Sequence, residues 1–373
     1  METHQSLALK YRPQTFGAVV GQDHVTSVLK NMVASRKVSP TIGLFGSPGH
    51  GKTTLARLLA AYINCEALTP KGLPCRQCRS CKGIASGRGG GLNEMNAASD
   101  RGIDTIRNLI ASSEFAPVMG KRRFYLLDEA HQLTGDAFKA ALKLFEEPPP
   151  STTFILCTSE PHKIPAAVLQ RCLQLKLNPV PEQVIVDKLL RKVCTKEGLS
   201  LDDGVLTAIA KAADGIPRVS LTILDRVALS VAGDEDLDER QLSAVVRQAA
   251  SEVGYISPQK LAAQVASSLV ARRASLFDIT NADRADYVIE ALHGLIVNAY
   301  RVKLGLGGQA GMTAKLDALP AQALADLAVL GERTLSKIKG AGGFSDMNRV
   351  WLETFCVEAL SIVGPVEKKK PSV

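Results

Sequence analysis

The segment Gly46-Ser47-Pro48-Gly49-His50-Gly51-Lys52-Thr53-Thr54 has the residue types and order of a loop that wraps a chain of phosphates. Its glycines let backbone N–H groups turn inward around anionic oxygens. The helix that must follow adds the positive end of its dipole. Lys52 is spaced to reach β and γ phosphates, and the Thr53 hydroxyl to ligate Mg²⁺. Such a loop works only between a strand and a helix. The apolar run Ile42–Phe45 precedes it and a helical pattern, Leu55 to Tyr62, follows, so both supports are present. A second apolar run, Phe124-Tyr125-Leu126-Leu127, ends in Asp128-Glu129. Alone, such a pair would cap a strand. Beside a phosphate loop, Asp128 holds the Mg²⁺ and Glu129 polarises the attacking water. An acid directly after the metal-holding aspartate points to hydrolysis rather than transfer to a small acceptor.

Four of the eight cysteines lie close together: Cys65, Cys75, Cys78 and Cys81. Two Cys-x₂-Cys steps share Cys78. Four thiolates fill a closed tetrahedral Zn²⁺ shell, the pattern of a structural site with no open coordination position. Gly72, Pro74, Arg76 and Arg79 suit a compact knuckle with thiolates near positive charge. A redox or disulfide role is the alternative, and a reducing compartment favours the metal. Cys157, Cys172, Cys194 and Cys356 stand in apolar contexts as small hydrophobes.

The elements that must position these groups follow from patterning. Up to about residue 178, the strand candidates Ile42–Phe45, Leu92–Met95, Phe124–Leu127 and Phe154–Cys157 alternate with helical segments. This implies an α/β fold with a parallel sheet and crossover helices. Asn178-Pro179-Val180-Pro181 marks a boundary, because proline disfavours helical geometry before it. From Glu182 to about Val246 the pattern is helical: Val184–Val193, Gly204–Ala213 and Val219–Val231, with Gly215-Ile216-Pro217 between the last two. Ala249 to Pro258 reads as a linker. Residues 259–366 read as helices broken by Gly305-Leu306-Gly307-Gly308 and Gly340-Ala341-Gly342-Gly343. The domain division expected is 1–179 (base, with the cysteine module at 65–81), 180–247 (helical lid), 248–366 (helical C-terminal domain) and 367–373 (basic tail).

A chain of 373 residues with 46% hydrophobic and 22% charged residues is globular, with two or three domains. No apolar run reaches membrane-span length, and Met1–Lys10 lacks a signal-peptide core. A cytosolic protein with no membrane partner is expected. The net charge of +8 permits a polyanionic partner without requiring one. Lys368-Lys369-Lys370 reads as a solvated tail.

Further segments resemble AAA+ ATPases, and within them the clamp-loader branch. Tyr11-Arg12-Pro13-Gln14-Thr15-Phe16 with Val20-Gly21-Gln22 is similar to that family's N-terminal adenine-binding segment. Asn96-Ala97-Ala98-Ser99-Asp100-Arg101-Gly102-Ile103-Asp104 resembles a motif of clamp-loader ATPase subunits. Leu142-Lys143-Leu144-Phe145-Glu146-Glu147-Pro148-Pro149 is similar to the segment after the acidic pair in bacterial gamma/tau subunits. The zinc cysteines are a mark of gamma/tau and delta-prime subunits, and the complete phosphate loop separates this chain from the usual delta-prime pattern. Asp346, Arg349, Leu352 and Glu353 resemble a gamma collar helix. The resemblance covers nearly the whole chain and is to gamma-type ATPase subunits of the DNA polymerase III sliding-clamp loader, or a phage relative.

That resemblance implies an AAA+ base with an inserted zinc module, a small helical lid and an all-α C-terminal collar. It implies ATP, Mg²⁺ and structural Zn²⁺. It makes Ser159, with Thr158 as the neighbouring alternative, the sensor of the γ-phosphate. A strand-end hydroxyl bonded to backbone is the plainer reading of that position. Arg171-Cys172 matches a Ser-Arg-Cys motif whose arginine reaches a neighbour's ATP, with Gln170 in place of the serine. Arg218 falls where the lid supplies a second sensor in cis, although Ile216-Pro217 departs from the usual residues. Arg101 and the N–H groups at Gly102 and Ile103 are expected to touch DNA phosphates, without reading base sequence.

The partners implied are delta-type and delta-prime-type subunits, a ring-shaped clamp and primed DNA, in a hetero-pentamer joined through the collar. Segments of longer tau-type proteins that bind helicase and polymerase are not in this sequence, so no helicase tethering is expected of it. Two other readings remain open: a non-hydrolysing ATP-binding scaffold, and another AAA+ DNA motor such as a Holliday-junction branch-migration ATPase.

Overall fold

A computed structural model of the chain describes residues 5–113, 115, 120–231, 239–253, 265–266, 285–304, 306, 316, 319–340, 354–355, 357–359 and 361–363. The chain divides into two compact units, Met1–Gly254 and Tyr255–Val373.

The first unit opens with α1 (Leu7–Lys10) and α2 (Asp23–Ser35), then β1 (Thr41–Phe45), α3 (Lys52–Asn64) and α4 (Arg79–Ala85). There follow β2 (Arg88–Gly89), β3 (Leu92–Asn96), α5 (Ile103–Ser113), β4 (Arg123–Asp128), α6 (Gly135–Glu146), β5 (Thr152–Thr158), α7 (Ala166–Leu169) and β6 (Leu173–Lys176). The strands form one sheet in the order β2-β3-β4-β5-β1-β6. β3, β4, β5, β1 and β6 run parallel, and β2 is antiparallel to β3.

Alternation within β4 shows why the sheet is buried on both faces. Phe124 and Leu126 join a layer with Leu29, Ile42 and Leu55. Tyr125 and Leu127 join the opposite layer with Phe138, Phe145 and Phe154. Strands covered by helices on both sides read as continuous apolar runs, which is how these strands were legible. Two were not. β6 buries only Leu175 and exposes its other residues, so it carries no apolar run. β2 is two residues of a hairpin.

A helical bundle follows: α8 (Glu182–Ile185), a π turn (Val186–Leu190) and α9 (Arg191–Glu197) form one continuous run, succeeded by α10 (Asp203–Ala213), α11 (Pro217–Val231) and α12 (Glu239–Glu252). Ile185, Leu190, Ile209, Leu224 and Val246 form its apolar core, to which Leu7 and Val180 also contribute. The run extends beyond Val193 to Glu197, where Gly198 adopts the left-handed conformation that ends it. α12 continues through the opening residues of the stretch read as a linker, because Ala249 is buried in the same core.

In the second unit, α13 (Ala285–Lys303) and α14 (Ala321–Gly340) pack through Ile289, Leu292, Ile296, Leu324 and Leu327. Asp346, Arg349, Leu352, Glu353, Cys356 and the lysine tail lie outside the described residues. Among the described residues, no helix is long and apolar enough to cross a membrane.

Candidate functional site

The chemistry gathers at the carboxyl ends of the parallel strands, where α/β sheets bind ligands. β1 delivers the phosphate loop. A Cβ at Gly46, whose φ is +154°, would lie 2.8 Å from the Leu177 carbonyl oxygen, and one at Gly49 would lie 2.6 Å from Ile216. Only glycine lets the loop press this closely on its neighbours. Lys52 opens α3 and is buried; its Nζ donates to the carbonyls of Gly46 (2.6 Å) and Ser47 (3.3 Å). Burial pushes its pKa down, and Glu129, Cys157 and Asp128 oppose that shift.

The register of β1, β5 and β4 brings the two halves together. Phe45 pairs with Thr158 and Leu156 with Leu127. Thr53 Oγ1 therefore donates to Asp128 Oδ2 at 3.0 Å across 75 residues of sequence. Glu129 sits in the left-handed region (φ +49°), with its own N–H donating to Asp128 Oδ1 at 3.1 Å. That bend turns the Glu129 carboxylate off the strand axis, and Ser159 Oγ donates to its Oε2 at 3.5 Å. Thr158 is fully buried and occupied: its hydroxyl bonds His131 Nδ1 at 2.9 Å and accepts the Glu160 N–H. Of the two neighbours, Ser159 is the one that reaches the acidic pair.

A cavity of ≈ 430 Å³ opens over the loop, lined by Pro48 to Thr54, Asp128, Glu129, Tyr11, Arg12, Pro13, Val20 and Arg218. Arg12 Nε donates to Thr54 Oγ1 at 3.1 Å, which ties the N-terminal strap to α3. Burial lowers the Arg12 pKa, and the nearby Arg57 and Arg218 guanidiniums add to the effect. Arg12, Lys52 and Arg218 thus concentrate positive charge where a phosphate chain would lie. Arg218 enters from the start of α11, with its Cβ 3.2 Å from where a Gly49 side chain would begin. Tyr11 donates from its hydroxyl to Glu197, and its pKa is pushed up to about 12 by burial and by that carboxylate.

Not every expected residue lines this cavity. Gly46 and Ser47 lie beneath it and hold Lys52 instead. Gly21 lines a neighbouring cleft. Arg171 lies outside it: Nη1 donates to the Ala167 carbonyl at 2.7 Å and Nη2 pairs with Glu146 at 3.1 Å. Arg101 is exposed just before α5, Gly102 accepts the Ile106 N–H, and Ile103 begins the helix.

Sequence reading missed His131. Its Nδ1 lies 3.5 Å from Glu129 Oε2 and its Nε2 lies 3.3 Å from Glu160, which also pairs with Lys163. Burial lowers its pKa against the pull of Glu160 and Glu129, and its contacts link Glu129 to Thr158 and Glu160. Its place two residues after the acidic pair was the available signal.

The Sγ atoms of Cys65, Cys75, Cys78 and Cys81 lie within 4.8 Å of one another. Backbone N–H groups aim at three of the sulfurs: Cys75 N–H at Cys65 (3.2 Å), Cys78 N–H at Cys75 (3.3 Å) and Cys81 N–H at Cys78 (3.4 Å). Such bonds favour thiolates, and the four-sulfur donor set is compatible with a tetrahedral metal. Of the other cysteines, Cys157 and Cys194 are buried, while Cys172 is only partly so and donates to the Val168 carbonyl.

Residues 21–181 match the family described as DNA polymerase III, delta subunit. The DNA polymerase III subunit tau of Bacillus subtilis is 40% identical over 232 residues, which is 62% of this chain and 41% of that protein. The DNA polymerase III subunit gamma of Buchnera aphidicola is 36% identical over 223 residues, 60% of this chain and 61% of that one. The chain thus spans less than two thirds of the length of these relatives. Among solved structures, the RuvB Holliday junction branch migration motor of Thermotoga maritima superposes with a TM-score of 0.50 at 16% identity, covering 85% of this chain and 88% of that one. At that identity the likeness establishes the fold, a parallel sheet with surrounding helices, and nothing about the reaction.

Proposed function

From a chain that is gamma/tau-like over the matched stretch, we propose an ATPase subunit of a DNA polymerase III sliding-clamp loader, coupling ATP binding and hydrolysis to loading of a ring clamp at primer–template junctions. The observation that carries this reading is the contact series Thr53–Asp128–Glu129–Ser159 beside Lys52 and Arg218. Adenine would lie against Tyr11, Pro13 and Val20, and phosphates against the loop; Gly21, expected beside the adenine, lines the adjoining cleft. Mg²⁺, held by Thr53 and Asp128, supplies charge neutralisation at the reacting phosphate when bound. Glu129 takes the proton of the attacking water, and Ser159 and His131 fix its direction. Arg218 ties the helical lid, residues 180–247, to the base, residues 1–179, so that their angle can answer to the nucleotide. Zn²⁺ holds the cysteine knuckle.

Arg171 does not line its own chain's cavity, which supports a role at a neighbour's ATP. Arginine fingers supplied in trans contribute roughly 10³–10⁵ in rate. Arg101 with the Gly102 and Ile103 N–H groups would meet phosphates of primed DNA. The residues 248–366 would serve as a collar joining delta-type and delta-prime-type partners in a hetero-pentamer in the bacterial cytoplasm.

The test is steady-state ATP hydrolysis by the chain alone, then with delta-type partners, clamp and primed DNA, beside an Arg171→Ala variant. A large rise only in the full mixture, lost in Arg171→Ala, is the expected result. ATP binding without turnover in any mixture would reduce the chain to a scaffold.

A further inference from the structure

Next to the nucleotide-type cavity, across the N-terminal strap, lies a second cleft of ≈ 440 Å³. Three separate stretches send cations to it: Lys10 and Arg12 from the strap, Arg76 from the cysteine knuckle, and Lys188, Lys192 and Lys196 from the helical run 182–197. Asp23 is its one carboxylate among the described lining residues.

The three lysines recur every fourth residue and so share one helix face, with steps of about 6 Å along the axis. Like charges at this spacing weaken a helix. The neighbouring face of the same run is balanced: Arg191 pairs with Asp203 at 2.8 Å and with Asp187 at 3.6 Å. Among the described residues, no carboxylate pairs with Lys188, Lys192, Lys196 or Arg76. Lys10 is paired with Glu197 at 2.7 Å, and Lys10 and Lys196 flank the Tyr11 ring, at 5.8 and 5.7 Å from its centroid. The run also contains the π turn Val186–Leu190, which holds Lys188. Turns of this kind recur at functional sites.

We propose that this cleft binds a linear phosphate chain, the backbone of a single-stranded nucleic acid, laid along Lys188, Lys192 and Lys196 and met from the other wall by Arg76. Lysines are compact, rotatable point charges that follow a backbone without demanding one geometry. They give affinity and no base sequence. A compact triphosphate would engage part of the row and leave its far end unmatched. The site is distinct from the start of α5 and does not depend on nucleotide turnover.

The experiment is fluorescence anisotropy of a labelled short oligothymidylate with the full chain, without nucleotide, in an Arg101→Ala background that removes the other proposed DNA contact. Lys188→Glu/Lys192→Glu/Lys196→Glu is expected to weaken binding by on the order of tenfold or more. It should also lower the slope of log affinity against log salt by about 2, at roughly 0.7 for each single-strand phosphate contact. Lys192→Gln/Lys196→Gln, which keeps the helix, should move both quantities in the same direction by less. Unchanged affinity and slope in the Gln variant, with helicity intact, would overturn the proposal. So would displacement of the oligonucleotide by tripolyphosphate at matching affinity, which would make this a compact anion site. Binding of a labelled ATP analogue is read separately; its loss with oligonucleotide binding intact would sink the nucleotide reading and leave this one standing.

Discussion

The phosphate-loop site and the cysteine knuckle adjoin in sequence, since α3 ends at Asn64 and the first thiol is Cys65, yet they are assembled in opposite ways. Thr53 meets Asp128 across 75 residues and Arg12 meets Thr54 across 42. Strand register imposes the first, and the packing of the N-terminal strap on α3 imposes the second. The knuckle is local, and its N–H···S bonds join residues 3 or 10 apart. A site hung on a sheet inherits rigidity from a core that stands without it, so single changes there should remove chemistry and spare the fold. A local knuckle has little core of its own, and its order should come from whatever the four sulfurs hold.

The largest effect should therefore come from the knuckle. Cys81→Ser removes a buried sulfur from the set. Structural zinc contributes roughly 10–16 kcal/mol to small zinc peptides. Elemental analysis should show loss of the bound zinc, and limited proteolysis should show new cleavage between residues 65 and 90. ATP-analogue affinity should remain close to that of the unaltered chain. Affinity lost in step with the metal would show that the two regions are one cooperative unit, and the contrast would fall.

Next comes the other side of the comparison. Glu129→Gln keeps the shape of the bend and removes the base. Turnover in the assembled complex should fall by about 10²–10⁴, the usual worth of general-base assistance, with ATP-analogue binding and melting unchanged. A parallel loss of binding would mean that Glu129 organises the loop rather than the water.

The same contrast explains what was legible in the sequence. The loop, the acidic pair and the four cysteines are contiguous patterns, and β1, β4 and β5 are apolar runs because helices cover both their faces, whereas β3 buries only Leu92 and was marked by its place in the alternation of strands and helices. What escaped was relational. β6 exposes most of its residues and joins the sheet only by pairing with β1. His131 gains its role from Thr158 and Glu160, which arrive from another strand. Nothing local marks Lys188, Lys192 and Lys196 as facing Arg76, because the cleft between them is made by packing. The bend at Glu129, a left-handed non-glycine residue, is equally invisible in composition.

Asn64, at the seam between the two regions, sharpens the comparison further. It is buried, its Nδ2 donates to the carbonyls of Gly90 (3.2 Å) and Arg122 (2.7 Å), and its Oδ1 accepts the N–H groups of Lys121 and Arg122 (both 2.9 Å). One amide thus joins the end of the loop helix, just before the first cysteine, to the β2–β3 turn and the start of β4. Asn64→Ala strips partners from these backbone groups, and leaving buried groups unpaired costs about 2–4 kcal/mol. Urea unfolding should show that loss in the midpoint. An unchanged midpoint would mean that the knuckle and the sheet are stabilised independently of this seam.

The smallest effect concerns the strap, where Tyr11 lines both clefts and donates to Glu197. Its pKa of about 12 in the folded chain lies above the ordinary value of 10. Between those values the folded state keeps a proton that the unfolded state releases. Its contribution is complete below pH 10 and is lost as pH rises through about 12. Lysines titrate in the same window, so the informative quantity is a difference. The unaltered chain should lose stability more steeply from pH 10 to 12 than Tyr11→Phe, which has no phenol to ionise. The gap should be small, because the ring is only partly buried and solvent screens the Glu197 charge. Parallel stability curves across that window would mean that the phenol does not hold the strap, leaving its attachment to Arg12 and Thr54.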